Sequence, residues 1–460
     1  MENKKSSFSS SLGFVLAAAG SAVGLGNIWR FPYLAAKDGG GLFLLIYILV
    51  AVSFGFTMIV TEVAIGRRTK RSPAYAYGDI HPKFKWVGKL ATIVPFLIFP
   101  YYCVIGGWVL KYAVTFMTGK AELSAQDDFF TGFITGQYEP IIYGAIFIIV
   151  TTLVVIFGVN NGIERVSKYI MPALAVMVIG IAVFSLTIKK DGVSSLDGLG
   201  VYLIPNLEGK GIGDIFGVIM DAVGQLFYSV SVAMGILVTY GSYLRDEDNL
   251  VSAVNQIEIF DTLVAFFAGL MIIPTVYVFM GPEGMTSGPG LMFIALPKIF
   301  LSMGSVFCYL IGVLFFLMVL FAALTSSVAL MEAVVASLME MFNISRKKAT
   351  YIELGLGLAM AVVVCLGYNV FYFELELPNH VVGQILDLVD YITNNIMMPV
   401  VALATCLLIG WVKGTGYIID EATKTGSKFN RKYLYIFMIR YVSPVLLLIL
   451  LLMAFGILKF

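Results

Sequence analysis

The sequence predicts an all-α polytopic membrane protein. Hydrophobic residues make up 59% of the 460 positions and charged residues only 13%, whereas about a quarter of a soluble domain is charged. Apolar runs of roughly 18 to 25 residues, each able to cross a bilayer as a helix, recur to the end of the chain, and mean hydropathy is +0.91. The period-two alternation of barrel strands is absent.

Eleven spans follow from the pattern, and the charges between them order the topology. The first, 12–36, comes after Lys4 and Lys5. The second, 41–66, is followed by Arg67, Arg68, Lys70, Arg71, Lys83, Lys85 and Lys89. The third, 88–117, is long enough to tilt or protrude, and "AQDDFF" follows it. The fourth, 140–158, and fifth, 167–188, flank Arg165 and Lys168. The sixth is 213–244 and the seventh 251–281. The eighth, 302–340, is again long and ends before Arg346, Lys347 and Lys348. The ninth, 349–371, precedes the acidic "FELELP". The tenth, 383–412, and eleventh, 433–458, bracket Lys413, Lys424, Lys428, Arg431 and Lys432. Basic loops mark the cytoplasmic side, with Lys189 and Lys190 as exceptions. The expected placement is the cell inner (plasma) membrane, N-terminus cytoplasmic and C-terminus outside.

Other classes are disfavoured. A net charge of +1 offers no basic surface for nucleic acid. His81 and His380 are too far apart for a metal cluster. Cys103, Cys308, Cys365 and Cys406 fall in apolar runs without CxxC spacing and read as packing residues. "MENKKSSFSSSLGF" lacks a small-residue cleavage site, so no cleaved signal peptide is expected. HExxH and GxSxG motifs of an intramembrane enzyme are absent.

Two spans are interrupted by small residues: "GSAVGLGN" in the first and "YSVSVAMG", Tyr228 to Gly235, in the sixth. Such residues let helices pack closely. They also permit unwinding, which membrane depth tolerates only where backbone lines a cavity or binds something. The interruptions lie five spans apart, so the second half would be inverted relative to the first. Paired breaks in inverted halves point to a midplane transport site. The domain reading is one transmembrane unit over 1–460, with repeats at about 12–188 and 213–412 and an extra helix at about 433–458.

"GSAVGLGNIWRFP" followed by "DGGG", with "EVAIGR", "GIERVSKYIMP", "GQLFYSVSVAMG", "LFAALTSSVALM" and "RYVSP", resembles the neurotransmitter:sodium symporters, the family of the bacterial leucine transporter. The resemblance covers nearly the whole chain. It implies Na⁺-coupled symport by alternating access, with two Na⁺ as coupling ions and an amino acid as the small-molecule cargo. It implies no obligate protein partner. One Na⁺ site would use Ala22, Asn27, Ser229 and Asp261, completed by the substrate carboxylate. The other would use Gly20, Val23, Ala322, Thr325 and Ser326, although "TSS" at helix depth also back-bonds to the preceding turn. Oxygen ligands suit a hard cation.

Substrate residues carried over are Ser21, Ala22, Leu25, Gly26, Ile98, Tyr102, Tyr228, Ser229, Ser231, Met234, Ser326 and Leu330. Leu25 and Gly26 N–H groups with the Tyr102 hydroxyl would hold the carboxylate. Carbonyls of Ala22, Tyr228 and Ser229 with the Ser231 hydroxyl would hold the ammonium. The side-chain pocket carries no fixed charge, so a neutral, hydrophobic or aromatic L-amino acid is expected. The leucine transporter has Phe where Met234 stands and Asn where Ser21 stands. Met is adaptable, while Ile98 narrows the space, and the sequence does not rank the candidates.

Chloride-dependent members carry Asn at 261 and Ser at 265, where this chain has Asp261 and Ala265. Asp261 near Tyr47, Gln225 and Ser229 would supply the charge chloride supplies elsewhere, so no chloride is expected; a capping Asp near the helix end is the other reading. Arg30 would close an outer gate with Asp390, above an aromatic lid of Tyr102 and Tyr228. Lys5 with Glu340 would close the inner one, braced by Ser242 and Tyr243, with Phe8 where Trp is common. Lys lacks the planar fork of Arg, which would loosen that gate. A channel or exchanger of the same fold is the rival reading.

Overall fold

The computed structural model describes residues 7–281, 284–285, 289–378 and 381–458. Among them, nine helices are long and apolar enough to cross a membrane, or ten when one bent pair counts as a span. The pair is α1 (Ser11–Ala22) and α2 (Gly26–Lys37), which meet at 55°. Then come α3 (Gly41–Thr69), α4 (Pro82–Met117), α5 (Glu139–Ile156) and α6 (Val159–Ser185). Two shorter helices, α7 (Ile212–Ser229) and α8 (Ile236–Tyr243), stand where the sequence places its sixth span. The rest are α9 (Leu250–Met280), α10 (Val306–Phe342), α11 (Arg346–Leu366), α12 (Ile385–Val412) and α13 (Lys432–Ala454).

Each end has a local cause. Ser10 caps α1 by accepting from Gly13 N, and Asn249 caps α9 through Ser252 N. The ninth span starts at Arg346 rather than 349 because the Ser345 side chain caps it there. It ends at Leu366, before turns at 367–371. Connections carry short helices, such as Pro73–Ile80 and Ser195–Leu203, and two small antiparallel ladders. The four cysteines are buried and free.

α1 packs against α9, α10 and α6, while α8 packs on α3. The two broken elements therefore sit at the centre of the bundle, held by long unbroken helices. The outer surface of α5, α6, α11 and α13 exposes large apolar side chains, Val176, Ile142 and Val363 among them, as lipid contact demands.

Candidate functional site

The break in the first span begins where backbone pairing fails. Val23 N still donates to Ala19 O at 2.8 Å, but Gly24 N donates to the Asn27 side-chain oxygen at 3.1 Å. The Gly20 carbonyl thus loses its helical partner. Asn27 N turns back to Gly24 O, which likewise frees Val23 O. From α10, Ser326 Oγ lies 3.3 Å from Gly20 O, 3.3 Å from Ser21 O and 3.4 Å from Val23 O. One hydroxyl hydrogen cannot serve three carbonyls. Thr325 Oγ1 is 3.1 Å from Ala322 O on the same helix. Gly20, Val23, Ala322, Thr325 and Ser326 therefore present a group of oxygens rich in lone pairs and poor in donors.

A second polar group surrounds Asp261, which is buried in α9. Its Oδ1 accepts from Asn27 Nδ2 at 2.8 Å and Ser229 Oγ at 2.7 Å, and its Oδ2 accepts from Tyr47 Oη at 3.3 Å. Ser229 Oγ is also 3.1 Å from Asn27 Oδ1. Asp261 lies in the interior of the helix, away from either end, so it is no cap. Among the described residues no basic side chain pairs with it. Gln225 is nearby but donates to Gly26 O at 3.1 Å rather than to Asp261, and its own oxygen has no partner.

The second break runs from Val230 to Gly235. Ser231, Ala233 and Gly235 have φ of 54°, 65° and 69°, a region costly for residues with a Cβ. The strained stretch is held from α3, where Glu62 accepts from Ala233 N at 2.8 Å. The two breaks meet directly: Ser21 Oγ donates to Ser231 Oγ, and Ser231 Oγ to Ser21 O, both at 3.0 Å.

Between the breaks lies a cavity of about 30 Å³. Ser21, Ala22, Leu25, Gly26, Ile98, Tyr102, Tyr228, Ser229, Ser231, Met234, Ser326 and Leu330 all line it. Gly24 and Ile236 line it too, and sequence reasoning had not assigned them to the pocket. Gly24 is needed for space: a Cβ there would meet Ser326 Oγ at 3.1 Å and Tyr102 Oη at 3.2 Å. The Tyr102 hydroxyl is buried and has no hydrogen-bond partner. A buried hydroxyl without a protein partner is costly, and it is a ready donor to an arriving anion.

Outside this pocket opens a cavity of about 540 Å³, lined by Trp29, Arg30, Tyr101, Asp387 and Asp390 among others. The expected Arg30–Asp390 pair is not made. Asp390 accepts from Tyr101 Oη at 3.0 Å and Asn394 Nδ2 at 2.6 Å. Arg30 instead stands 6.0 Å from the centroid of the Tyr228 ring. The physical reason is that both side chains face the same open cavity, with their hydrogen bonds and ring contacts made on its walls.

The opposite end is closed. Phe8 is buried against Phe14, Tyr240 and Tyr243, and its N–H donates to Tyr243 O at 3.2 Å. Ser9 N donates to Glu164 at 2.8 Å. Lys5 lies outside the described residues. Glu340 is paired with Arg71 at 2.8 Å and accepts from Ser72 N at 2.7 Å. Beneath it, Glu332 takes the Tyr243 hydroxyl at 2.7 Å and both Arg346 Nη atoms at 2.5 and 2.8 Å. Ser242 donates only to Thr239 O within its own helix. Arg71, Glu164, Glu332 and Arg346 had not been singled out as partners. Glu332 carried a signal, an acid inside an apolar run.

Comparison with known proteins shows the family to which this fold belongs. The model of the sodium:neurotransmitter symporter family matches residues 5–128 and 139–460. The chain belongs to that family. It is 32% identical over 468 residues to an uncharacterized sodium-dependent transporter, YhdH, of Bacillus subtilis, covering 100% of each chain. An uncharacterized sodium-dependent transporter of Methanocaldococcus jannaschii is 30% identical, over 96% of this chain and 89% of the relative. Among solved structures, MhsT in complex with L-phenylalanine superposes with a TM-score of 0.85 at 34% identity, covering 98% of this chain and 100% of that one. The symporter is thus a multi-pass membrane transporter that couples Na⁺ to a small-molecule substrate, and it is not an enzyme.

Proposed function

We propose that the symporter imports a neutral L-amino acid with a hydrophobic or aromatic side chain, together with two Na⁺ and without chloride. The observation that carries this reading is the position of the two oxygen groups, one at each flank of a pocket that itself contains no fixed charge. Gly20, Val23, Ala322, Thr325 and Ser326 would take one Na⁺. Ala22, Asn27, Ser229 and Asp261 would take the other, completed by the substrate carboxylate. Tyr102 Oη with the Leu25 and Gly26 N–H groups would hold that carboxylate, and the freed carbonyls of Ala22, Tyr228 and Ser229 with Ser231 the ammonium.

Chloride independence rests on Asp261, whose carboxylate is fixed by three donors and has no cation of its own. The aromatic preference is supported by adaptable Met234 opposite Ile98 and by the L-phenylalanine named for MhsT. The outer cavity and the closed inner layer fit an outward-facing state. Substrate entry would separate Ser21 from Ser231, and closure would bring Arg30 to Asp390. Eleven spans in two inverted repeats, with the N-terminus cytoplasmic, complete the reading.

The energetics suit two ions. With about 100 mV inside-negative and a tenfold gradient, each Na⁺ releases roughly 2.3 kcal/mol from voltage and about 1.4 from concentration. Two give about 7 kcal/mol, enough for an accumulation on the order of 10⁵. The test is uptake of a labelled amino-acid panel in proteoliposomes, with choline replacing Na⁺ and gluconate replacing chloride. Concentrative, Na⁺-dependent, chloride-indifferent uptake is expected. Downhill equilibration alone would establish a channel or exchanger, and no Na⁺ dependence for any amino acid would end the proposal.

A further inference from the structure

We propose that Glu353 is a proton-binding site, that its proton exchanges with the side faced by the Arg346 end of α11, and that this exchange is linked to transport. The link rests on the Na⁺-coupled import proposed above; the proton site does not.

α11 buries a single stripe that includes Thr350, Glu353, Gly357 and Ala361, while Tyr351 and Leu356 face outward. Glu353 is 0% exposed, and neither carboxyl oxygen has a hydrogen-bond partner. The hydroxyl of Thr350, one turn nearer Arg346, is also buried without a partner. The other deeply buried glutamates contrast with this. Glu332 has Arg346 and Tyr243, Glu258 has Arg431, Glu421 has Arg67, and Glu62 has the Ala233 N–H.

The surroundings offer no countercharge. α11 packs on α4, α5 and α10, and at its Leu366 end on the first turns of α12, whose charged groups Asp387 and Asp390 are acidic. From α4 the titratable neighbour is the Cys103 thiol. The charged group of α5, Glu139, sits at its far end and is held by Lys111. On α10, Glu332 and Glu340 are paired with Arg346 and Arg71. Among the described residues no Lys, Arg or His forms an ion pair with Glu353. A bare carboxylate in such a place is far costlier than the neutral acid, so Glu353 holds a proton in this state. A glutamic acid that never gave the proton up would offer nothing that leucine lacks, and would leave polar atoms unmet.

Its position supplies the link. α4 brings Cys103 to Glu353 and, at the preceding residue, Tyr102 to the substrate pocket. Thr350 continues the polar stripe toward the Arg346 end, and no comparable unpartnered group of α11 continues it the other way. Movement of α11 against α4 would hydrate Glu353 by way of Thr350. The carboxyl O–H would then pass its proton to water, leaving the carboxylate, and recover it on return.

The experiment uses the full chain, wild type and Glu353→Gln, with Glu353→Asp as a second variant should the first fail to fold. Infrared difference spectra in H₂O and D₂O are expected to show a protonated-carboxyl band in the wild type that the Gln variant lacks. In proteoliposomes at fixed outer pH, Na⁺-driven uptake of labelled L-phenylalanine is expected to change about threefold or more between inner pH values of about 6 and about 9. It should be flat in Glu353→Gln and displaced along the pH axis in Glu353→Asp. An identical spectrum in wild type and Gln variant, or an unchanged pH profile, overturns the proposal. Absence of Na⁺-dependent uptake in the wild type defeats the import reading, and the spectra still decide the proton site.

Discussion

Asp261→Asn removes one negative charge and keeps nearly the same shape. Asn27 Nδ2 and Ser229 Oγ, at 2.8 and 2.7 Å from Oδ1, can still donate to the amide oxygen. The lost quantity is therefore chiefly the field of the carboxylate on a cation bound beside it. Two unit charges about 4 Å apart interact by about 4 kcal/mol at an effective dielectric constant near 20. At 1.4 kcal/mol per decade, that sets a ceiling of about 10³ on the loss of Na⁺ affinity. Water and neighbouring dipoles reduce it, and a rise of about 10- to 100-fold in half-saturating Na⁺ is expected. The corner, now without its fixed negative charge and with Tyr47 Oη, Ser229 Oγ and Gln225 around it, should accept a halide, more completely when Ala265→Ser adds a hydroxyl. The assay is a Na⁺ titration of uptake in chloride and in gluconate. The single variant should need more Na⁺, and chloride should restore part of the loss in the double variant. Unchanged Na⁺ dependence together with continued indifference to chloride would refute the charge argument.

Three further outcomes are expected. Tyr102→Phe removes a hydroxyl that has no partner until a carboxylate arrives. Because a hydrogen bond to a charged group contributes about 1.5–3 kcal/mol, KM for the amino acid should rise about 10- to 100-fold with thermal stability unchanged or raised. Gly24→Ala pushes a methyl toward Ser326 Oγ and Tyr102 Oη, 3.1 and 3.2 Å away; equilibrium binding of labelled amino acid should weaken by about tenfold or more. Asp38, in the turn after α2, is pushed up to about 7 by burial and then by the Asp221 carboxylate. The folded state then binds the proton more tightly than the unfolded one, so stability falls as pH rises from about 4 to about 7. Melting of the detergent-solubilised protein should lose this component in Asp38→Asn, and an identical pH profile in both proteins would refute it.

The pocket was legible because its chemistry is concentrated in two short stretches. Residues 20–27 supply carbonyls and N–H groups through consecutive backbone, and Tyr228 to Gly235 does the same, so adjacency in sequence became adjacency in space. The long-range polar contacts were not legible. Ser9 and Glu164 are 155 positions apart, and an apolar run says only that an acid such as Glu332 needs a partner, never which one. Arg30 and Asp390 illustrate a different limit, since a gate is a relation between states and residue types do not specify which state is populated. Glu353 was visible in "TYIELGLG" as an acid among apolar residues, yet its solitude needed the packing of α11 to be seen. Helix edges missed by a few residues where a cap, such as Ser345, overrode hydropathy.

The brevity of α8 bears on how the protein is made. Its eight residues extend about 12 Å, well short of the roughly 30 Å of hydrocarbon. Left alone in lipid, it and the unwound residues before it would expose unmet backbone groups, each costing several kcal/mol. It cannot enter as an independent segment. Glu62, which receives the Ala233 N–H, lies on α3 and leaves the ribosome far earlier. The first segments to be made therefore include a prepared berth for the weakest later stretch, and α8 can settle at membrane depth only against protein such as α3.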